Sequence, residues 1–278
     1  MSKTVLITGC SSGFGRATAQ VFSHNGWNVV ATMRDVGRAD DLANDPNMLV
    51  ARLDVQDRAS IAEAIERGIE CFGRIDALIN NAGFGLHGIF ETIPPEKIQE
   101  QFDVNLFGVM NVTRALLPHF RATRAGMIVN ISSGAGVFTL PLISLYCASK
   151  FALEGFSEAL TYELAPLGIT VKIVEPGGSL STNFSTRSRA ETAAAANPRD
   201  YDTIIADARK RFEGLAALAT ATAADVAQVI YKAVTDGSDQ LRYLATKDIE
   251  PWVRARRDSS EAEYIKTMRD AFMAKDRA

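Results

Sequence analysis

Thr4-Val5-Leu6-Ile7-Thr8-Gly9-Cys10-Ser11-Ser12-Gly13-Phe14-Gly15 opens the readable pattern of this chain. A short, mainly apolar run with β-branched members, Thr4 to Ile7, predicts a strand, the glycine-rich run predicts a turn, and Ala17 to Ser23 carries a helical pattern ending near Asn25-Gly26. Strand, glycine turn and helix in that order let the backbone approach a pyrophosphate, whose charge the helix N-terminus stabilises. A glycine turn alone is weak evidence, but its place between a strand and a helix gives it weight.

Asn28 to Met33 reads as a second strand, Met48 to Leu53 as a third closed by Asp54-Val55, and Asp76 to Ile79 as a fourth, followed by Asn80-Asn81-Ala82-Gly83. Ile61 to Phe72 reads as the helix between the last two. Glu96 to Phe120 reads as one long helix with Phe102, Leu106, Val109, Leu116 and Phe120 on a buried stripe. Gly126 to Ile131 and Ile169 to Val174 are the fifth and sixth strands, and Leu241 to Ala245 the last. Strand alternating with helix calls for a parallel sheet covered on both faces, with ligands at the carboxyl ends of the strands. Those ends carry Gly9, Arg34, Asp54 and Asn81.

The chemistry is concentrated in Ile131 to Lys150. Tyr146 and Lys150 are four residues apart at the start of a helix and so share a face. A cation about 4 Å from the phenol, at an effective dielectric of ~20, contributes about 4 kcal/mol, enough to lower the phenol pKa toward neutrality. Tyr146 then acts as general acid and base, and Ser133 from the preceding loop holds a carbonyl oxygen against it. Alone, a Tyr-x-x-x-Lys pair on a helix is usually a surface pair.

Together, Thr8-Gly-x-x-x-Gly-x-Gly15, Asn80-Asn-Ala-Gly83, Asn105, Ser133 and Tyr146-x-x-x-Lys150 resemble the short-chain dehydrogenases/reductases in their single-domain form. Through VLITGCSSGFG, VVATMRD and YCASKFALEGF the chain looks most like the hydroxysteroid and retinol dehydrogenases among them. The resemblance implies a Rossmann-type doubly wound α/β fold, and hydride transfer between a nicotinamide and a ketone, aldehyde or secondary alcohol. It implies a catalytic set of Asn105, Ser133, Tyr146 and Lys150, with Asn105 perturbing its helix and holding a water that links Lys150 to solvent. It implies cofactor contacts from Gly9, Ser11, Ser12, Gly13, Phe14, Gly15, Arg34, Asp54, Val55, Asn81, Ala82, Gly83, Tyr146, Lys150, Pro176, Gly177 and Thr182. Thr182 stands one residue later than the usual Pro-Gly-x-x-x-Thr spacing, where Ser181 falls. A homodimer or homotetramer is implied by resemblance alone.

Cofactor choice turns on the end of the second strand. An acid there bonds the ribose 2′-hydroxyl of NAD, whereas arginine accommodates the 2′-phosphate of NADP. Met33 and Arg34 favour NADP(H) over NAD(H), with Asp35 able to soften the preference. Apolar Phe84, Leu86, Phe138, Leu140, Leu142 and Phe184 offer no cation for a charged substrate. A hydrophobic substrate is therefore expected, in contact with Ser133, Tyr146, Phe138 and Phe184.

Residues 1–247 are expected to form the dinucleotide-binding and catalytic domain, with 183–222 a mobile flap over the substrate. Residues 248–278 form a C-terminal helical extension, read most simply as a solvated tail, with a lid or an oligomer contact as alternatives. With 278 residues, 47% of them hydrophobic, and a net charge of −3, the chain can bury a large core and shows no nucleic-acid footprint. No apolar run reaches membrane-spanning length, and the first strand begins without a signal peptide. Cys10, Cys71 and Cys147 form no C-x-x-C pair and three dispersed histidines suggest no metal site, so a reduced cytoplasmic protein is expected. Two rivals remain: a dinucleotide-sensing protein without turnover, against which the Ser133, Tyr146 and Lys150 set argues, and an epimerase or dehydratase, whose Gly-x-x-Gly-x-x-Gly spacing is absent.

Overall fold

The alternation of strand and helix closes into one parallel sheet of seven strands, in the order β3-β2-β1-β4-β5-β6-β7. The structure is a computed structural model describing residues 2–178, 188, 197–218 and 220–273. The strands are β1 (Thr4–Ile7), β2 (Asn28–Met33), β3 (Met48–Arg52), β4 (Ala77–Asn80), β5 (Gly126–Ile131), β6 (Ile169–Glu175) and β7 (Arg242–Leu244). The first helices are α1 (Gly13–His24), α2 (Arg58–Phe72), α3 (Pro95–Phe102), α4 (Val109–Thr123) and α5 (Ser144–Leu164). Beyond the sixth strand come α6 (Asp202–Leu218), α7 (Ala223–Thr235), α8 (Glu250–Asp258) and α9 (Glu261–Phe272).

Successive strand residues face opposite sides, so the apolar runs of β1 and β2 feed two cores. Val5, Ile7, Val29, Ala31 and Met33 pack with α1 and α7, where Phe22 meets Trp27 and Tyr231 edge-on at 5.1 and 5.0 Å. Leu6 and Val30 pack on the other face with α2, α4 and α5, through Ile61, Leu116, Phe120 and Leu160. Each such side chain contributes about 1.5–3 kcal/mol. Asp57 caps α2 by accepting from Ala59 N at 3.0 Å, and Thr222 with Asp225 forms a capping box on α7.

Lys172 on β6 is wholly buried, and its Nζ donates to Asp236 Oδ1 and Tyr243 OH, both at 2.9 Å, tying β6 to β7.

The helix expected over Glu96 to Phe120 is interrupted at Asp103–Gly108 by a π-helical turn, the local perturbation that the resemblance implied at Asn105. Gln101 of α3 and Asn105 of this turn are both buried, and their carboxamides satisfy the backbone of Phe84 and Leu86. The C-terminal helices are not a solvated tail. Ile249, Val253, Tyr264 and Met268 bury against Val137 and Phe138, so their apolar positions have a partner beside the sheet's carboxyl edge.

Candidate active site

The carboxyl ends of β1, β2, β4, β5 and β6 border one cleft of about 400 Å³. The β1–α1 turn forms its first wall. Gly9 sits at φ +78°, in the left-handed region where a side chain is strained. Gly15 is needed for close approach, since a Cβ there would lie 2.4 Å from both Asn81 Nδ2 and Gly9 O. Asn81 Nδ2 donates to Thr8 O at 2.9 Å, and Thr8 Oγ1 accepts from Asn81 N and Ala82 N at 2.9 and 3.0 Å, binding the turn to the end of β4.

This wall fits a dinucleotide. Ser12, at the N-cap of α1, makes no side-chain cap bond and the first turn holds no acid, so the helix amides remain available to an anion. Ser11, Ser12, Gly13 and Phe14 line the cleft there. Arg34 lines the β2 end and is exposed, whereas Asp35 is outside the lining and accepts from Gly37 N at 3.0 Å. Arg38, which sequence reasoning missed, also borders the cleft. Its loop is fastened by Arg16, whose guanidinium pairs with Asp41 and donates to Arg38 O and Ala39 O. Nothing in the sequence separates Arg38 from an ordinary surface arginine. Asp54, Val55, Asn81, Ala82 and Gly83 complete this half.

The other half holds the reactive groups. Ser133, Tyr146, Lys150, Pro176 and Gly177 line it. Ser133 Oγ accepts from Ala135 N at 3.1 Å and donates to the Tyr146 phenolic oxygen. Lys150, only 6% exposed, donates from Nζ to Ile131 O at 2.7 Å, and its Nζ lies 5.8 Å from the Tyr146 ring centroid. Burial pushes the Tyr146 phenol up to about 12, with Ser133 pulling the other way. Burial also pushes the Lys150 ammonium down to about 8, with Glu154 opposing. The expectation that Lys150 draws the phenol toward neutrality is therefore corrected: desolvation dominates both groups, and the ammonium is engaged by the Ile131 carbonyl instead.

Asn105 lies outside the cleft lining. Its Oδ1 accepts from Phe84 N at 3.0 Å, and its Nδ2 donates to Phe84 O at 2.8 Å and Ser149 Oγ at 3.1 Å. Ser149 Oγ donates in turn to Tyr146 O, so Asn105 reaches the Tyr146 main chain rather than Lys150. Gln101 was missed, although Gln101 and Asn105 form a polar i, i+4 pair on an apolar stripe. Phe138 is corrected as a substrate contact. It is 2% exposed and packed against Ile249 and Val253. Phe84 lines the cleft instead, with Phe14 and Val104. Beside it, Leu142 holds φ +61°, a strained state for a leucine, and its carbonyl accepts from Gly88 N at 2.8 Å. Ser181, Thr182 and Phe184 lie outside the described residues, as do 183–187, 189–196 and 219 of the stretch expected as a flap, whose described part carries α6.

Residues 3–193 match the family described as short chain dehydrogenase. An uncharacterized oxidoreductase of Schizosaccharomyces pombe is 40% identical over 85% of this chain and 98% of its own. Human retinol dehydrogenase 8 is 34% identical over 95% of this chain and 88% of its own, and human 17-beta-hydroxysteroid dehydrogenase type 1 is 34% identical over 96% and 85%. A short-chain dehydrogenase from Streptomyces avermitilis superposes with a TM-score of 0.82 at 32% identity, covering 96% of both chains. A short chain dehydrogenase/reductase from Burkholderia phymatum in complex with NAD gives 0.80 at 26% identity over 92% and 93%. ElxO with NADP bound gives 0.71 at 26% identity over 88% and 98%.

Proposed function

From a chain that belongs to the short-chain dehydrogenase family, and so is an oxidoreductase of alcohol and carbonyl groups using a nicotinamide dinucleotide, we propose a catalyst that favours NADP(H) over NAD(H) and acts on hydrophobic carbonyl or alcohol substrates, with Tyr146 as general acid and base. The observation that carries this reading is the Ser133–Tyr146 hydrogen bond at the inner end of the dinucleotide-shaped cleft, with Lys150 beneath it.

The dinucleotide, when bound, supplies the two-electron hydride chemistry at its nicotinamide ring. The turn from Gly9 to Gly15 and the N-terminus of α1 would hold its pyrophosphate, Arg34 its 2′-phosphate, and Pro176-Gly177 would flank the nicotinamide. The Asp35 carboxylate supports the NADP preference, because it is engaged by Gly37 N of its own loop and is not in the cleft lining, where Arg34 is. Tyr146 holds its proton at Oη over the neutral range, the form required to donate to an oxygen gaining negative charge during carbonyl reduction. Ser133 Oγ, whose hydrogen is on that phenol here, would turn it to the same substrate oxygen and fix it. Lys150, anchored at Ile131 O, places a cation behind the pair. Asn105 holds the start of α5 in place through Ser149.

The apolar wall of Phe14, Phe84 and Val104 supports a hydrophobic substrate. So do the names of retinol dehydrogenase 8 and 17-beta-hydroxysteroid dehydrogenase type 1, whose substrates are bulky and apolar. Exposed Phe107, Phe151 and Tyr162, beside and along α4 and α5, support a homo-oligomer. The free thiols of Cys10, Cys71 and Cys147 support a reducing, cytoplasmic setting.

The test is Tyr146→Phe, which keeps the ring and removes the transferable proton. With NADPH and a panel of bulky apolar ketones, it should lower kcat by roughly 10²–10⁴-fold while leaving dinucleotide affinity unchanged. Wild-type turnover by the variant on a substrate the enzyme accepts would refute the assignment of the proton donor.

A further inference from the structure

The cleft floor is fastened by residues after the last strand. Gly177 N donates to Thr246 Oγ1 at 2.8 Å, and Gly178 N donates to Asp248 Oδ2 at 2.9 Å. Ile249, which ends the same loop, packs so closely that a Cβ on Gly177 would lie 2.6 Å from its Cγ2. The loop that starts at Ser133 is held from the same side. Gly134 N donates to Pro176 O at 2.9 Å, Phe138 buries against Ile249 and Val253, and Thr139 N donates to Tyr264 OH at 3.3 Å.

An ionic chain runs through the same region. Glu175, wholly buried and immediately before Pro176, accepts from Arg257 of α8 at 2.5 Å. Arg242 Nε lies 3.6 Å from the same carboxylate oxygen and 3.0 Å from Glu154 Oε2. Glu154 follows Lys150 by one helical turn, and its charge acts on that ammonium. With Glu158, which pairs with Arg242, the chain balances three carboxylates against Lys150, Arg242 and Arg257. Two independent sets of contacts, one hydrogen-bonded and apolar and one ionic, thus link the C-terminal segment to both sides of the reacting centre.

We propose that Thr246, Asp248 and Arg257 are positioning residues for the reaction. They hold the Pro176-Gly177-Gly178 floor and, through Glu175, Arg242 and Glu154, the surroundings of Lys150. This rests on the functional reading above and deepens it: α8 works as a brace behind the floor of the active site. Arg257 touches neither the cleft lining nor Tyr146, so its effect on catalysis is indirect and passes through the buried Glu175.

The test compares Arg257→Ala, Arg257→Lys and Thr246→Val with the wild type, with Asp258→Ala as a surface control. NADPH affinity is read by nucleotide fluorescence, kcat and KM on an accepted ketone, and the thermal midpoint in parallel. Arg257→Ala should weaken NADPH at least tenfold and lower kcat at least tenfold, and Arg257→Lys should restore most of both. Thr246→Val preserves shape and removes only the acceptor of Gly177 N. It should weaken NADPH about fivefold with a nearly unchanged midpoint, which keeps the proposal testable if Arg257→Ala fails to fold. Wild-type affinity and kinetics in Thr246→Val and in any folded Arg257 variant, with only the midpoint lowered, would overturn the proposal. Tyr146→Phe is run alongside: turnover by it would sink the functional reading, whereas the NADPH affinities decide the positioning role on their own.

Discussion

Replacing Lys150 by methionine should stabilise the protein at neutral pH while removing its activity. The Lys150 ammonium is buried, and its pKa falls from the ordinary 10.5 to about 8, chiefly through desolvation. At about 1.36 kcal/mol for each pKa unit, carrying that proton in the folded state costs about 3 kcal/mol at pH 7. Methionine keeps most of the packing but loses the bond to Ile131 O, worth about 1.5–3 kcal/mol while the donor is charged and about 1 kcal/mol once it is neutral. The variant should therefore gain about 1 kcal/mol at pH 7, or roughly 2–4 °C in Tm for a chain of this size. The sign in pH follows from linkage. Below pH 8 the folded and unfolded states both hold the proton. Between about 8 and 10.5 the unfolded state holds more, so the wild type gains stability as pH rises and the variant does not. At pH 10 only about 1 kcal/mol of the penalty remains, which the lost hydrogen bond offsets, and the two proteins should melt together. The assay is urea or thermal unfolding of both proteins at pH 7 and pH 10 with no added dinucleotide. A variant less stable than wild type at pH 7, or a difference unchanged between the two pH values, would refute the reasoning.

Arg34→Ala should raise KM for NADPH by at least about tenfold and leave that for NADH nearly unchanged, since a charge-assisted bond to the 2′-phosphate is worth about 1.5–3 kcal/mol. Met33→Asp should push preference toward NADH; equal weakening of both cofactors in steady-state kinetics by Arg34→Ala would remove Arg34 as the discriminator. Gly15→Ala should cost about 1–3 kcal/mol in calorimetry and weaken dinucleotide binding, because its methyl group would meet Asn81 Nδ2 and Gly9 O at 2.4 Å. Asp236→Ala should destabilise by about 3–5 kcal/mol in urea titrations by leaving Lys172 buried without a counter-charge, and Lys172→Met with Asp236→Leu should recover most of it. A loss below about 1 kcal/mol would show that Tyr243 alone satisfies that ammonium.

The sheet was legible because its signals are local. The apolar runs at Thr4–Ile7 and Gly126–Ile131 coincide with the strands, and the ends that sequence places at Gly9, Arg34, Asp54 and Asn81 do meet around one cleft. Ser133, Tyr146 and Lys150 were legible through their spacing, which a strand-to-helix connection turns into proximity. Other features depend on tertiary contact and were not. The π turn at Asn105 was implied by the resemblance, but its partners were not: the Gln101 and Asn105 carboxamides reach Phe84, which helical periodicity does not include. Phe138 reads as an apolar substrate contact until Ile249 and Val253, more than a hundred residues later, cover it. The direction of the Tyr146 shift depends on how deeply the cleft buries the phenol, and i, i+4 spacing carries no information about depth.

The all-parallel order of the sheet also governs how the cleft comes into being. No two neighbouring strands are joined by a hairpin, so none can zip up from a turn. The β1–α1 turn takes its shape from Asn81, 73 residues away from the Thr8 carbonyl it holds. The turn is thus completed only when β4 docks beside β1, a late and entropically costly closure. A dinucleotide lying across that seam therefore has no complete site in the unfolded chain or in a chain stopped before β4. It should leave refolding largely unchanged and slow unfolding instead, so that its protection of the enzyme is kinetic: a longer lifetime for the molecule that has already folded.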